Sequence, residues 1–243
     1  MQRADGRKPD QLREWALEPG YAPYAEGSVL AISGNTRVLC AATVEDRVPA
    51  WMLDQNRGWV HAEYAMLPRA TQSRTRRDIN RSNGRTHEIQ RLIGRSLRAV
   101  TELPKLGQRQ IILDCDVIQA DAGTRTAAIT GSWVALALAC DKLRKLNKLK
   151  KWPLPEQVAA VSLGIRDEVV LLDLNYEEDA GADVDLNLVM TSNGRLVEVQ
   201  GTAEEKTFTR KQLDQMIEAG WAGLERLFEL QRNTLQASGV ELG

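Results

Sequence analysis

The sequence predicts a single α+β domain covering residues 1–243. Three observations predict it. Short β-type runs come in groups separated by turn residues. Each group is followed by a segment whose apolar residues recur at helical spacing. No Pro-, Gly- or Ser-rich linker divides the chain. Taken in order, Ser28 to Ser33 and Thr36 to Val44 read as two strands around a Gly34-Asn35 hairpin turn, and Trp59 to Leu67 as a third. An arginine-rich loop follows. Ile89, Leu92, Ile93, Leu97 and Val100 then share one face at 3.6-residue spacing, with Arg91, Arg95 and Arg98 opposite and Ser82-Asn83-Gly84 as the start signal. Ile111 to Gln119 alternates like a half-buried strand. Ala127, Ile129, Val134 and Leu138 continue as a helix to about Leu146. The basic stretch Lys142 to Lys151, backed by Trp152-Pro-Leu-Pro155, reads as a solvated helix end and connector.

The second half repeats this order. Val158 to Ile165, Val169 to Asn175, Leu186 to Met190 and Leu196 to Val199 read as strands, with a turn at Ser192-Asn193-Gly194. A long helix begins at Thr209, whose partner Gln212 completes a capping box. Its core face is Leu213, Met216, Ile217, Leu224, Leu227 and Phe228. With 43% hydrophobic residues in 243, such a chain can bury roughly 70–75% of its unfolded surface. The three cysteines, Cys40, Cys115 and Cys140, are odd in number and lie in apolar segments. They read as buried free thiols of a reducing compartment, not as disulfides or a zinc site. The N-terminus has no apolar signal core, and no apolar run approaches the ~20 residues that span a bilayer. The expectation is a cytoplasmic protein without membrane contact.

Three segments carry chemistry. In Asp121-Ala122-Gly123-Thr124-Arg125-Thr126 a strand ends and a helix begins. A glycine there lets backbone amides turn toward a ligand, the helix N-terminus adds roughly half a positive charge, and Arg125 adds a forked whole one. The combination suits a phosphate, although an ordinary strand-to-helix turn has the same outline. Arg69 to Arg98 holds nine Arg, no Lys and two acids, a net +7 in a chain of net −1. Arginine alone favours bidentate phosphate contact. The aperiodic part, with Arg69, Arg74, Arg76 and Arg77, reads as a loop that can follow a polynucleotide backbone. Arg91 and Arg98 stand on the outer stripe of the following helix, and Arg85 at its N-terminal end, where a cation opposes the helix dipole unless an anion joins it. Finally, Asp167 to Leu188 holds eight acids and no base. Carboxylates gathered at a strand end serve as a divalent-metal site, as a general acid of raised pKa, or as plain surface polarity.

The stretch Cys115-Asp-Val-Ile-Gln-Ala-Asp-Ala-Gly-Thr-Arg-Thr-Ala-Ala128 resembles the signature of the ribonuclease PH family, the phosphate-dependent 3′ exoribonucleases. So do Arg3-Ala-Asp-Gly-Arg7, Ala25-Glu-Gly-Ser-Val29, Ala62-Glu-Tyr-Ala-Met-Leu-Pro-Arg69, Gly84-Arg-Thr-His-Glu-Ile-Gln-Arg-Leu-Ile93 and Glu198-Val-Gln-Gly-Thr-Ala-Glu204. These matches are ordered and run over nearly the whole chain. The resemblance implies the family's fold, two βαβα-like halves shared with ribosomal protein S5 domain 2, and a ring hexamer built as a trimer of dimers. It implies trimming of the 3′ ends of tRNA precursors, and of rRNA, by inorganic phosphate with release of nucleoside diphosphates, and a reverse nucleotidyl transfer. By the same resemblance Arg85 and the Gly123, Thr124 and Arg125 loop hold phosphate, and Asp179 and Asp185 flank the scissile bond as catalytic groups and Mg²⁺ ligands. Arg69, Arg74, Arg76 and Arg77 guide the RNA. Ala65 and Ala122 stand where the family often has Gly. His61 and His87 fall where its motifs do not require His, so both read as structural. Two other readings stay open: a hydrolytic metal-dependent nuclease, and a non-catalytic RNA-binding ring subunit. The second conflicts with the retention of Arg85, Arg125, Asp179 and Asp185.

Overall fold

The computed structural model describes residues 3–77, 84–203 and 206–242. The start signal at Ser82-Asn83 and the end of the Glu204 motif lie outside them. Among the described residues nine strands form two sheets. In the first, β1 (Trp15–Pro19), β2 (Gly27–Ser33), β3 (Thr36–Glu45), β5 (Gln110–Gln119) and β4 (Trp59–Met66) lie in that order. All neighbours are antiparallel except β4 and β5. A parallel pair needs a crossover, and α1 (Gly84–Ala99) provides it. The second sheet has the order β7 (Val169–Leu172), β6 (Val158–Arg166), β8 (Val184–Thr191), β9 (Leu196–Ala203), antiparallel throughout.

Apolar patterning explains the layering. The helix α2 (Thr124–Lys145) is buried on every side from Thr126 to Ala137, so it can face two sheets at once. On one side Gly131 lies so close to β2 and β3 that an added Cβ would sit 2.8 Å from Ala31 Cβ and 3.0 Å from Cys40 Sγ. On the other, Thr130 Oγ1 accepts from the Ala160 amide of β6 at 3.1 Å. The amphipathic α1 buries Ile89, Leu92, Ile93 and Leu97 in the core of the first sheet. The long α4 (Arg210–Ala237) covers the far face of the second sheet with Met216, Leu224, Leu227 and Phe228. Thr209 and Gln212 form the expected capping box. Gln231, fully buried on α4, donates to Thr130 O and Val158 O, tying α4, α2 and β6 together. The three cysteines are buried and free. Among the described residues no helix is long and apolar enough to cross a membrane.

Three local expectations change. A fifth strand, β1, joins the first sheet. The strand from Val169 ends at Leu172 rather than Asn175, because Asn175 caps a one-turn helix, α3 (Tyr176–Ala180), through a capping box with Glu178. β8 begins at Val184, two residues earlier than the apolar run suggests.

Candidate active site

The loop between β5 and α2 is held from below. The Asp121 amide donates to Thr36 Oγ1 at 2.9 Å, and Thr36 Oγ1 donates to Ala122 O at 2.6 Å. Ala122 (φ +56°) and Gly123 (φ +63°) then both take left-handed backbone conformations. This explains why the resembled family favours Gly at the alanine position: a side chain there costs roughly 1–2 kcal/mol. At Gly123 a Cβ would lie 2.8 Å from Arg13 Nη2, so the Arg13 guanidinium would have to move from its place against Asp173. The first amides of α2 have no intrahelical acceptor and follow directly on this double left-handed turn. Thr124 Oγ1 and the buried Tyr64 hydroxyl share a hydrogen bond of 2.8 Å.

Arg125 is fixed sideways. Its Nη1 donates to Gln200 Oε1 on β9 at 2.8 Å and lies 3.8 Å from Glu88 on α1. Gln200 Nε2 in turn donates to Glu88 Oε1 at 2.6 Å. Arg85 stands exposed in the first turn of α1. Burial pushes the Tyr64 phenol up, and the charges of Arg85 and Arg125 oppose that rise. Asp179, on α3, and Asp185, which stands opposite Thr202 and Gly164 on the face of β8 turned away from α4, complete the group. Asp179 keeps an open side to solvent, yet withdrawal of water by the surrounding chain raises its carboxyl, and repulsion from Asp185 raises it further. Arg125, Arg85 and Arg13 pull the other way. Arg125 of the Asp121–Thr126 loop, Arg85 and the two aspartates, distant in sequence, therefore share one electrostatic neighbourhood. Asp183 stays outside it, in an ion pair of 2.9 Å with Lys206.

The short helix α3 cannot hold its place by its own length. Arg3, with a fully buried side chain, forks onto Glu178 at 2.7 and 2.6 Å and donates to the carbonyls of Leu172 and Asp173. Arg7 adds a contact to Glu178 at 3.3 Å. Burial pushes the Glu178 carboxyl up, but Arg3, the Asn175 amide and Arg7 outweigh it and hold it below the usual range. Arg13 bridges the two halves: it forks onto the buried Asp173 at 3.1 and 2.7 Å and donates to Asp121 O at 2.6 Å. The Asp121 carboxylate accepts from the Tyr176 amide, the first of α3, at 3.0 Å. The Asp121–Thr126 loop and α3 are thus parts of one network.

The arginine-rich segment divides. The carbonyl of Ala70 anchors its base, accepting from the Ala120 amide at 2.8 Å, just before the Asp121–Thr126 loop. Arg69, Arg74, Arg76 and Arg77 are exposed on it. Arg91 is exposed on α1. Arg98 is half-buried: it donates to Val60 O at 2.9 Å and lies 4.4 Å over the Trp59 ring. Trp51, Trp59, His61, His87, Arg91 and Arg98 line a cavity of about 490 Å³ that shares no lining residue with the phosphate loop or the aspartates. Neither histidine is a core residue, as both are exposed.

Sequence reasoning assigned no site role to Tyr64, Gln200, Glu88, Arg3, Arg13, Asp173 or Glu178. Arg3, Tyr64, Glu88 and Gln200 stand inside the motifs that carry the resemblance, so a signal was present for them. Arg13 and Asp173 lie outside every motif.

The model of the 3′ exoribonuclease family, domain 1, matches residues 11–140, and that of domain 2 matches residues 156–223. The chain belongs to this family. It is 52% identical over 238 residues to a "Ribonuclease PH" of Dehalococcoides mccartyi (strain CBDB1), covering 97% of this chain and 99% of the relative. It is 53% identical over 233 residues to a "Ribonuclease PH" of Bacillus pumilus (strain SAFR-032), covering 95% and 96%. Solved structures share the fold at lower identity. Rice Rrp46 superposes with a TM-score of 0.78 at 21% identity, covering 96% of this chain and 100% of that one. A chain of the Archaeoglobus fulgidus exosome with RNA bound to the active site gives 0.80 at 20%, covering 94% and 92%. The family's two-domain fold corresponds to the two sheets, each with its own helices, joined through α2.

Proposed function

We propose that this protein shortens RNA from the 3′ end by phosphorolysis, with 3′-extended tRNA precursors as substrates. Inorganic phosphate and a phosphodiester are both anions, and bringing them within ~3.5 Å costs several kcal/mol unless cations neutralise them. Arg85 and Arg125 hold the attacking phosphate, Gln200 and Glu88 keep Arg125 aimed, and the amides at Gly123 and Thr124 orient it. A phosphate oxygen bonds to the phosphorus of the last nucleotide as the bond to the preceding ribose O3′ breaks. The product is a nucleoside diphosphate, and the O3′ needs a proton. Asp179, whose raised carboxyl retains a proton to higher pH than an ordinary aspartate, is suited to give it. Alternatively the pair, both ionised, would hold Mg²⁺, which is commonly bound through one or two carboxylates plus substrate phosphates and would neutralise the O3′ charge in place of the proton. Arg69, Arg74, Arg76 and Arg77 lead the strand in, with Arg91 and Arg98 as further RNA contacts.

The reading rests on one observation above all: Gln200 on β9 joins Arg125 of the loop at 2.8 Å to Glu88 of α1 at 2.6 Å, while the Asp121 carboxylate of the same loop accepts from the first amide of α3, which carries Asp179, at 3.0 Å. We further propose a cytoplasmic homo-hexamer, a trimer of dimers, in which residues 1–243 fold as one unit. The reverse reaction tests the chemistry. Given RNA and nucleoside diphosphates, the protein should lengthen the RNA and release phosphate. A hydrolytic nuclease cannot do so, and failure to extend RNA under conditions that support shortening would reject phosphorolysis.

A further inference from the structure

On β4 the buried residues Val60, Ala62 and Tyr64 alternate and belong to the core formed with α1 and α2. Tyr64 is 5% exposed, whereas the other three tyrosines, Tyr21, Tyr24 and Tyr176, are exposed. A phenylalanine would fill the same space without a hydroxyl to satisfy, and a buried hydroxyl needs a partner. Among the described residues that of Tyr64 has one, Thr124 Oγ1 at 2.8 Å.

The direction of this bond follows from a count of hydrogens. Each hydroxyl has one hydrogen and can also accept. If Thr124 donated, the phenol hydrogen would be left without an acceptor inside the core. If Tyr64 donates, the core is satisfied and the Thr124 hydrogen is left over. A phenol is also more acidic than an alcohol and so the better donor. Burial holds it above its ordinary range, so it keeps its hydrogen, although the Thr124 bond and the charges of Arg85 and Arg125 oppose that rise. The same two charges place the hydroxyl pair beside both arginines. Thr124 is the first residue of α2 and is half-buried, so its hydroxyl stands where the core ends. A helical threonine ordinarily divides between two rotamers, and the bond from Tyr64 selects one.

We infer that Tyr64 is a positioning residue: its hydroxyl donates to Thr124 Oγ1, fixes the threonine rotamer and leaves the Thr124 O–H as a donor to the attacking phosphate. A residue of the core thereby sets the angle of one donor at the anion site. The inference rests on the proposed phosphate-dependent reaction and adds what orients that donor.

Three measurements test it. First, Tyr64→Phe should raise the phosphate KM about two- to twelvefold, the worth of one neutral hydrogen bond, with kcat at saturating phosphate and the KM for RNA unchanged. A merely structural hydroxyl would lower the melting temperature and leave the phosphate KM in place. Second, Thr124→Val should raise that KM at least as much, Thr124→Ser should stay near wild type, and the Tyr64→Phe, Thr124→Val double variant should be no worse than Thr124→Val, because the two hydroxyls act as one unit. Equilibrium dialysis with radiolabelled phosphate should show the same ranking in Kd without turnover. Third, in wild-type protein carrying 3-fluorotyrosine, the one fluorine resonance shielded from a soluble paramagnetic chelate belongs to Tyr64, and it should move when phosphate is added. Wild-type phosphate KM and Kd in Tyr64→Phe, or losses that add in the double variant, overturn the inference. If Tyr64→Phe fails to fold, the fluorine spectrum decides, and a Tyr64 resonance unmoved by saturating phosphate overturns it. A wild-type protein that binds phosphate but releases only nucleoside monophosphates overturns phosphorolysis while the Kd values still judge Tyr64. One that binds no phosphate overturns both.

Discussion

Arg125 and Arg85 differ in how they are held, and their variants should differ accordingly. Arg125 is gripped by Gln200 and Glu88, whereas Arg85 is exposed at a helix start. Each charge-assisted contact is worth roughly 1.5–3 kcal/mol. Alanine at either position should therefore lower activity about tenfold to several-hundredfold, mainly through weaker phosphate saturation, with little change in RNA affinity by gel shift. Loss of RNA affinity at unchanged phosphate saturation would mean the roles are misassigned. Gln200→Ala should reproduce part of the Arg125 defect, because it frees the guanidinium without removing it. For the aspartates, Asp185→Asn and Asp179→Asn should each cut turnover by about 10²–10⁴ at saturating RNA and phosphate. Asp183→Asn should be nearly silent. The physical reason is its bend position and its Lys206 pair, since residues two apart in a strand would share a face. A pH profile adds a sharper test. Asp185 raises Asp179 by repulsion, so Asp185→Asn lowers the Asp179 pKa. The protonated form is then lost at lower pH, and the alkaline limb of the residual activity should move down. A limb that stays in place would show that Asp179 is not the proton donor.

At the scale of elements, the decisive piece is α3, a single turn that carries Asp179. Its cap was legible, because Asn175 and Glu178 have capping-box spacing, but the acid-rich composition reads as loop when the cap is overlooked. What clamps it was not legible. The Arg3–Glu178 contact joins residues 175 apart, and no local pattern encodes such a pairing. β1 escaped for a related reason: Trp15–Pro19 is short and lacks alternation, and becomes a strand by pairing with β2. The long periodic segments α1, β5, α2 and α4 were readable because burial imposes their period over many residues. Glu178→Gln should destabilise the protein by about 3–5 kcal/mol, the usual consequence of breaking a buried pair. Its pH dependence has a definite sign. The folded Glu178 carboxyl lies below its ordinary 4.5, so its stabilisation is present above that value and lost as pH falls through the folded pKa. Acid melts of wild type should therefore lose a component that Glu178→Gln has already lost. Identical acid sensitivity of the two proteins would place the stabilisation elsewhere.

At the scale of the whole molecule, α2 and Arg13 join the two sheets on which the proposed chemistry draws. The first sheet brings the Asp121–Thr126 loop and Tyr64, and the second, with α3, brings Asp179, Asp185 and Gln200. With α2 shared between both cores, thermal unfolding should be one transition by circular dichroism and by tryptophan fluorescence; two separated transitions would show independent halves. The central claim is that phosphate, not water, cleaves the RNA in this shared site. The measurement that tests it most directly is chromatography of the nucleotides released from a 3′-extended tRNA, incubated with and without inorganic phosphate. Nucleoside diphosphates with phosphate, and no shortening without it, are the predicted result. Nucleoside monophosphates released in phosphate-free buffer would contradict it.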